Sequence, residues 1–331
     1  MPSVTTFEAS PAISGRSIAA RMKPPSRIGD KAFECLTLVM ALAVLALVFL
    51  VGWQLARGSS LAIRRFGFHF LTTSTWDPVA EEFGALPFIY GTIVSSLVAL
   101  IIAVPLSIAT ALYLTELAPL WIRQPIVSLI EMLAAIPSVI LGLWGIFVMI
   151  PWLRDYPFPL LKRWFGWTPL FRGPIYGVSM LAGGIIIAIM ILPIVTSVSR
   201  EILRSVPDLQ REAAYALGAT RWEVTRIAVL SYARKGLFGA VILGLGRALG
   251  ETMAVTMVIG NTPQIVASLF APGYTLASVI ANEFTEATTD LYLQALFEIG
   301  LVLFGITILA NLIAQLLLKT MGSSMGTRAV Q

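Results

Sequence analysis

Six apolar runs, each long enough to cross a hydrocarbon core of about 30 Å, punctuate this chain at residues 33–55, 88–114, 126–150, 178–198, 237–260 and 293–318. Each predicts a transmembrane helix. Between the fourth and fifth runs the pattern changes. Residues 211–230, REAAYALGATRWEVTRIAVL, are charged and amphipathic, and they predict a helix, a glycine turn and a second helix. Ser205 followed by Asp208 fits a capping box, with Pro207 tolerated in the first turn. Leu209, Ala213, Ala216 and Leu217 then share one helical face, and Gly218 stands where a left-handed C-cap belongs. Thr220 and Glu223 form a second capping box, opening a helix through Leu230. A loop so carefully folded between membrane spans is expected to dock onto something.

Composition agrees with the spans. Of 331 residues, 57% are hydrophobic and 12% charged, with a mean hydropathy of +0.84, as in an integral membrane protein. A single Cys35 and a single His69 exclude a disulfide framework and argue against a His/Cys metal site. No cleavable signal pattern is read ahead of the first run. The net charge of +5 reports topology rather than nucleic-acid affinity.

Fifteen Lys and Arg fall in the N-terminal tail, the second-to-third loop, the 199–235 loop and the C-terminal tail. Seven fall on the opposite side and Arg247 lies within a span, which places both termini and the 199–235 loop in the cytoplasm. The outer segments 56–87 and 151–177 carry Trp76, Trp152, Trp164 and Trp167, suited to headgroup anchoring or to docking. A weaker apolar stretch, 265–270, is too short to cross and reads as interfacial or re-entrant.

Leaving aside Glu34 at the edge of the first span, four charged residues lie within the spans: Glu131, Arg247, Glu251 and Glu298. A charge at mid-bilayer costs about 2.5–3.5 kcal/mol even on lenient insertion scales, so each needs a reason. Arg247 and Glu251 are four apart, hence on one face and within pairing reach, among Gly244, Gly246 and Gly250 that permit close approach. The pair reads either as packing or as an oxyanion site. A guanidinium fork matches a tetrahedral oxyanion. A neighbouring carboxylate weakens a fully ionised anion such as sulfate, yet accepts a hydrogen bond from hydrogen phosphate. Glu131 is expected to pair with a basic residue of the 199–235 region or of a partner, and Glu298 to make a helix–helix contact.

The motif within 211–230 fits two families. It mimics a DNA-binding helix-turn-helix, but a recognition helix tied at both ends to membrane spans could hardly reach a groove. It also carries the EAA signature of ABC-importer permeases: Glu212, Ala213, Ala214, Gly218 and an Ile227-to-Leu230 ending, with Ser231 where a proline is usual. Together with FGALPFIYGT (83–92), AAIPSVILGLWG (134–145) and RALGETMAVTMVIGN (247–261), the chain resembles the phosphate-specific ABC transporter permeases of the PstC type. Those runs cover most of residues 76–261.

The resemblance implies an all-α integral membrane protein with six transmembrane helices, the type I ABC importer permease fold, in the inner membrane of a bacterium. It implies a second permease subunit (PstA type), two copies of a cytoplasmic ATPase (PstB type), an extracytoplasmic phosphate-binding protein (PstS type) and no cofactor. It assigns Arg247 and Glu251 to the substrate path and Glu212, Ala213, Ala214 and Gly218 to ATPase coupling. The expected organisation is a disordered tail over 1–30, a permease domain over 31–320 holding the coupling loop, and a tail over 321–331. None of the five lysines follows a glycine, so no Walker A loop is read and the chain is not expected to be an enzyme. The rivals are a permease for sulfate or molybdate and an ion-coupled secondary transporter. The latter's usual signs, an internal repeat and paired broken helices, are not read in the sequence.

Overall fold

The computed structural model describes residues 27–323, so the expected tails fall almost wholly outside the described residues. The chain divides into two units, Met1–Trp53 and Gln54–Gln331. Residues 27–53 of helix α1 (Arg27–Gly58) make up the described part of the first. In the second, α2 (Ser60–Phe66), α3 (His69–Thr72) and a short antiparallel pair, β1 (Trp76–Asp77) with β2 (Glu82–Phe83), precede α4 (Leu86–Leu112), which continues through a π-turn to Leu117. Next come α5 (Leu120–Ala135), α6 (Ser138–Trp144), a second π-turn, α7 (Ile150–Asp155), α8 (Pro157–Phe165) and α9 (Met180–Arg204). The interspan loop holds α10 (Asp208–Ala216) and α11 (Arg221–Val224), and a third π-turn, Thr225–Leu230, joins α11 to α12 (Ser231–Leu249). Helices α13 (Met253–Val258), α14 (Leu276–Glu283) and α15 (Asp290–Ser323) complete the order.

Among the described residues six helical stretches are long and apolar enough to span: Gly29–Gly58, Leu86–Leu117, Ser138–Asp155, Met180–Arg204, Arg221–Leu249 and Asp290–Thr320. Four match the expected runs in place. The third and fifth do not. The third was read as one helix over 126–150, but Pro137 divides it: proline lacks an N–H and disfavours helical backbone before it. Ile136 and Pro137 are accordingly extended, with ψ of 126° and 138°, and α6 starts afresh at Ser138. The fifth was read over 237–260, yet its helix begins at Arg221 and stops at Leu249.

Helices α4 and α9 form the centre of the second unit, tied by the Ser107 hydroxyl donating to the Leu192 carbonyl at 3.1 Å. Ala99, Ala103, Ile186, Ile187 and Ile191 pack there with Val255 and Val258 of α13 and Ile259 at its C-cap. Apolar side chains gain little by leaving lipid for protein, so this packing rests on close fit between small and branched residues. The Ser179 hydroxyl caps α9 by accepting from the Ala182 N–H. Leu269 and Ala271 receive the N–H groups of Leu181 and Met180 on their carbonyls. The 265–270 stretch therefore lies against the start of α9 as irregular chain that turns at Leu269 and Phe270, with Phe270 fully buried.

A second core forms where α2, α3, α14 and the start of α15 meet. Trp76, expected at a headgroup interface, belongs to it. Its ring stands 4.9 Å from that of Phe83 and 4.8 Å from that of Phe88, and its Nε1 donates to Glu283 Oε2 at 2.7 Å. The Tyr292 hydroxyl donates to the same oxygen at 2.7 Å. Trp152, Trp164 and Trp167 stay exposed, as an anchoring or docking role requires.

Candidate functional site

Arg247 sits in the last turn of α12, and Glu251 lies just beyond its end. The Nη2–Oε2 distance is 3.6 Å, so the pairing read from the four-residue spacing is present. The helix itself has ended between them. Gly250 has φ −95° and ψ 0°, Glu251 and Thr252 lie outside any helix, and α13 restarts at Met253. The Glu251 carboxylate lies against the N–H groups of Thr252 and Ala254 and against the Ser138 hydroxyl. It thereby supplies an acceptor to backbone donors that a helix start leaves unpaired.

Ser138 is the first residue of α6, the restart of the other broken span. The two breaks therefore meet at Glu251. Their approach is close: a Cβ added at Gly142 would stand 2.6 Å from Met257 Sδ and 3.0 Å from Ala254 Cα.

The pair is lopsided. The Glu251 side chain is 6% exposed and that of Arg247 is 47% exposed. Glu251 is shielded, while the more exposed Arg247 lines a hollow of about 470 Å3. Ile194, Ile242, Leu243, Gly239 and Gly246 give that hollow its apolar wall, and Arg247 and Asn311 are its polar members. Asn311 donates its Nδ2 to the Thr307 carbonyl at 3.0 Å, which fixes the amide orientation. Among the described residues Arg247 has Glu251 as its one ion-pair partner, and a guanidinium carries five N–H donors. The arrangement can offer an anion several donors, with a shielded carboxylate beside it.

In the interspan loop, Glu212, Ala213 and Gly218 are exposed and Ala214 is half-buried. Leu209 is 75% and Leu217 90% exposed, so the apolar face read from the sequence is left open. Gly218 has φ +82°, the left-handed C-cap expected of it. The Thr220–Glu223 capping box is formed in both directions. The Ser205–Asp208 box is not. Ser205 keeps helical backbone and donates its hydroxyl to the Ile202 carbonyl at 2.8 Å, leaving Pro207 at the N-cap of α10 without a side-chain cap. Nor does the second helix stop at Leu230. With Ser231 in place of proline the chain continues unbroken into the fifth span.

Glu131 stands 3.9 Å from Arg200, the basic partner expected from the 199–235 region. Glu298 is 6% exposed and lines a second hollow of about 230 Å3 with Ile63, Phe68 and Leu71. Three residues were missed from sequence. Ser138 lies inside a run already singled out, directly after Pro137, and that proline was its signal. Asn311 carries no charge, so it does not stand out in an apolar span as an ionisable residue does. Glu116, at the end of the second span, pairs with Arg211 from 95 positions away, which no local pattern reveals.

Residues 103–323 match the sequence profile described as the binding-protein-dependent transport system inner membrane component. A relative from Mesorhizobium japonicum, named phosphate transport system permease protein PstC, is 48% identical over 90% of this chain and 92% of its own. One of the same name from Pasteurella multocida is 45% identical over 89% of this chain and 93% of its own. A probable PstC from Methanocaldococcus jannaschii is 36% identical over 87% and 93%.

Proposed function

This chain belongs to the family of binding-protein-dependent transport system inner membrane components, and on that premise we propose that it is the PstC-type permease subunit of an ATP-driven phosphate importer. The observation that carries the substrate is the half-exposed Arg247 guanidinium with Glu251 buried behind it. The similarity to phosphate permeases along nine-tenths of the chain supports the same reading.

The chemistry is transfer without a covalent step. A phosphate entering the hollow exchanges part of its water for Arg247 N–H donors. Charge-assisted hydrogen bonds of this kind are about twice as strong as neutral ones. Glu251 competes for the same guanidinium, so the anion is held loosely enough to leave. Where phosphate carries a proton, Glu251 also accepts it in a hydrogen bond. Sulfate, with no proton to give, meets only repulsion from that carboxylate.

In this reading residues 31–320 form the permease domain, with both termini and the 199–235 loop in the cytoplasm. The loop's open face around Glu212, Ala213, Ala214 and Gly218 receives the ATPase. A PstA-type permease completes the path, two PstB-type ATPase subunits supply the energy, and a PstS-type protein delivers phosphate outside. The chain carries no phosphate-binding loop of its own and resides in the inner membrane of a bacterium. Broken helices at 136–137 and 250–252 are the kind of element that an ion-coupled transporter would also use. Family membership, not their absence, speaks against that rival.

The test is ATP-dependent uptake of labelled phosphate into vesicles holding this chain with its partner subunits, with sulfate as competitor. Uptake abolished by Arg247→Ala in a complex that still assembles, and indifference to sulfate, are expected. Unimpaired uptake in Arg247→Ala would reduce the pair to packing, and strong sulfate competition would move the assignment to another oxyanion.

A further inference from the structure

Helix α10 has no buried residue of its own among its nine. Packing therefore does not explain how so exposed a helix keeps its place against the bundle. One side chain does. The Arg211 side chain is 18% exposed and its guanidinium is filled on both arms. Nη1 donates to the Val206 carbonyl at 2.7 Å and to Asp208 Oδ1 at 2.9 Å. Nη2 donates to the Leu203 carbonyl at 3.0 Å and to Glu116 Oε1 at 3.1 Å.

These contacts join three elements. Leu203 lies in the last turn of α9, where carbonyls lack intrahelical partners and favour a cation. Val206 lies in the bend that follows. Glu116 belongs to the π-turn that ends the second span, and its side chain is 17% exposed. Asp208, at 87% exposure, adds little, because screened surface pairs contribute about 0–1 kcal/mol. The shielded Glu116 pair and the two carbonyls are what hold. A small apolar cluster of Ala111, Leu203, Val206, Val229 and Ala233 lies among the same elements, so the arginine tie and this packing act together.

We propose that Arg211 is the positioning residue that ties α10 to the ends of the second and fourth spans, so that movement of α10 displaces the second span through Glu116. The inference rests on the reading of the chain as an ATP-coupled permease subunit. Glu212 and its neighbours face outward to receive the stroke, whereas Arg211 faces inward and distributes it. Loss of the tie leaves the ATPase able to hydrolyse ATP while less of its work reaches the path. A rigid fork is required: lysine keeps the charge but cannot reach both the carbonyls and the carboxylate.

The experiment measures phosphate taken up and ATP hydrolysed in the same vesicles, for the assembled complex with wild type, Arg211→Lys, Glu116→Gln and Glu116→Asp. Arg211→Lys and Glu116→Gln are expected to lower the phosphate moved per ATP at least threefold while hydrolysis persists, with Glu116→Asp partly restoring it. A loss of folding or assembly would lower uptake and hydrolysis together and leave the ratio unchanged. An unchanged ratio in both Arg211→Lys and Glu116→Gln overturns the proposal. Wild type that hydrolyses ATP without moving phosphate would instead overturn the proposed function.

Discussion

Replacing Glu251 by glutamine keeps the side chain's size and removes its charge, which isolates the role of the carboxylate beside Arg247. At 3.6 Å the pair's attraction at an effective dielectric of 20 is about 4–5 kcal/mol. Arg247 is 47% exposed, so screening leaves roughly half of that, about 2 kcal/mol. In the wild type an anion must compete with Glu251 for the guanidinium by about that amount. In Glu251→Gln the competition vanishes, so phosphate binds more tightly and leaves more slowly. If departure limits turnover, about 2 kcal/mol corresponds to about a thirty-fold slower maximal uptake. The assay is uptake against phosphate concentration in vesicles holding the complete complex. The expected result is a lower maximal rate together with a lower half-saturating concentration, at normal complex yield. A maximal rate equal to wild type would refute the reasoning. A raised half-saturating concentration with an unchanged rate would refute it equally, because the carboxylate's acceptance of the phosphate proton would then outweigh its competition for Arg247.

Gly142→Val places a branched side chain where Ala254 Cα stands 3.0 Å from an added Cβ, and overpacking of this kind costs about 1–3 kcal/mol; transport should fall before assembly does, read as uptake per recovered complex. Thr220→Ala removes one half of the capping box at about 1 kcal/mol, so amide exchange in Arg221–Val224 should rise by about five-fold while α9 is unaffected. Trp76→Phe keeps a ring in the aromatic core but strips the 2.7 Å bond to Glu283. A hydrogen bond to a charged group contributes about 1.5–3 kcal/mol, so the thermal midpoint in detergent should drop, and an unchanged midpoint would show the bond to be idle.

The long apolar runs were legible because a bilayer imposes length and composition on each span separately. Arg247 and Glu251 were legible for a related reason: a charge pair four apart stands out in an apolar background. The breaks in those spans were less so. Pro137 marked one, but residues 250–252 hold no proline, and no local pattern there announces the break. The Thr220 cap could be read because both partners are three residues apart. Ser205 could not be dismissed from sequence, since only the three-dimensional bend shows that it serves as the C-cap of α9. The Arg211 tie and the union of the two breaks depend on contacts between distant parts of the chain. Position along the sequence carries no record of them.

The unbroken run from Arg221 to Leu249 makes the loop and the guanidinium two ends of one rod. At 1.5 Å per residue its 29 residues measure about 43 Å. Pivoted near its middle, such a rod tilted by about 10° swings each tip by nearly 4 Å. That displacement is comparable with the size of a phosphate group, so in the proposed path a modest rocking suffices to offer or withdraw Arg247. The third π-turn, Thr225–Leu230, lies close to the driven tip. There it can absorb twist without spoiling the leverage.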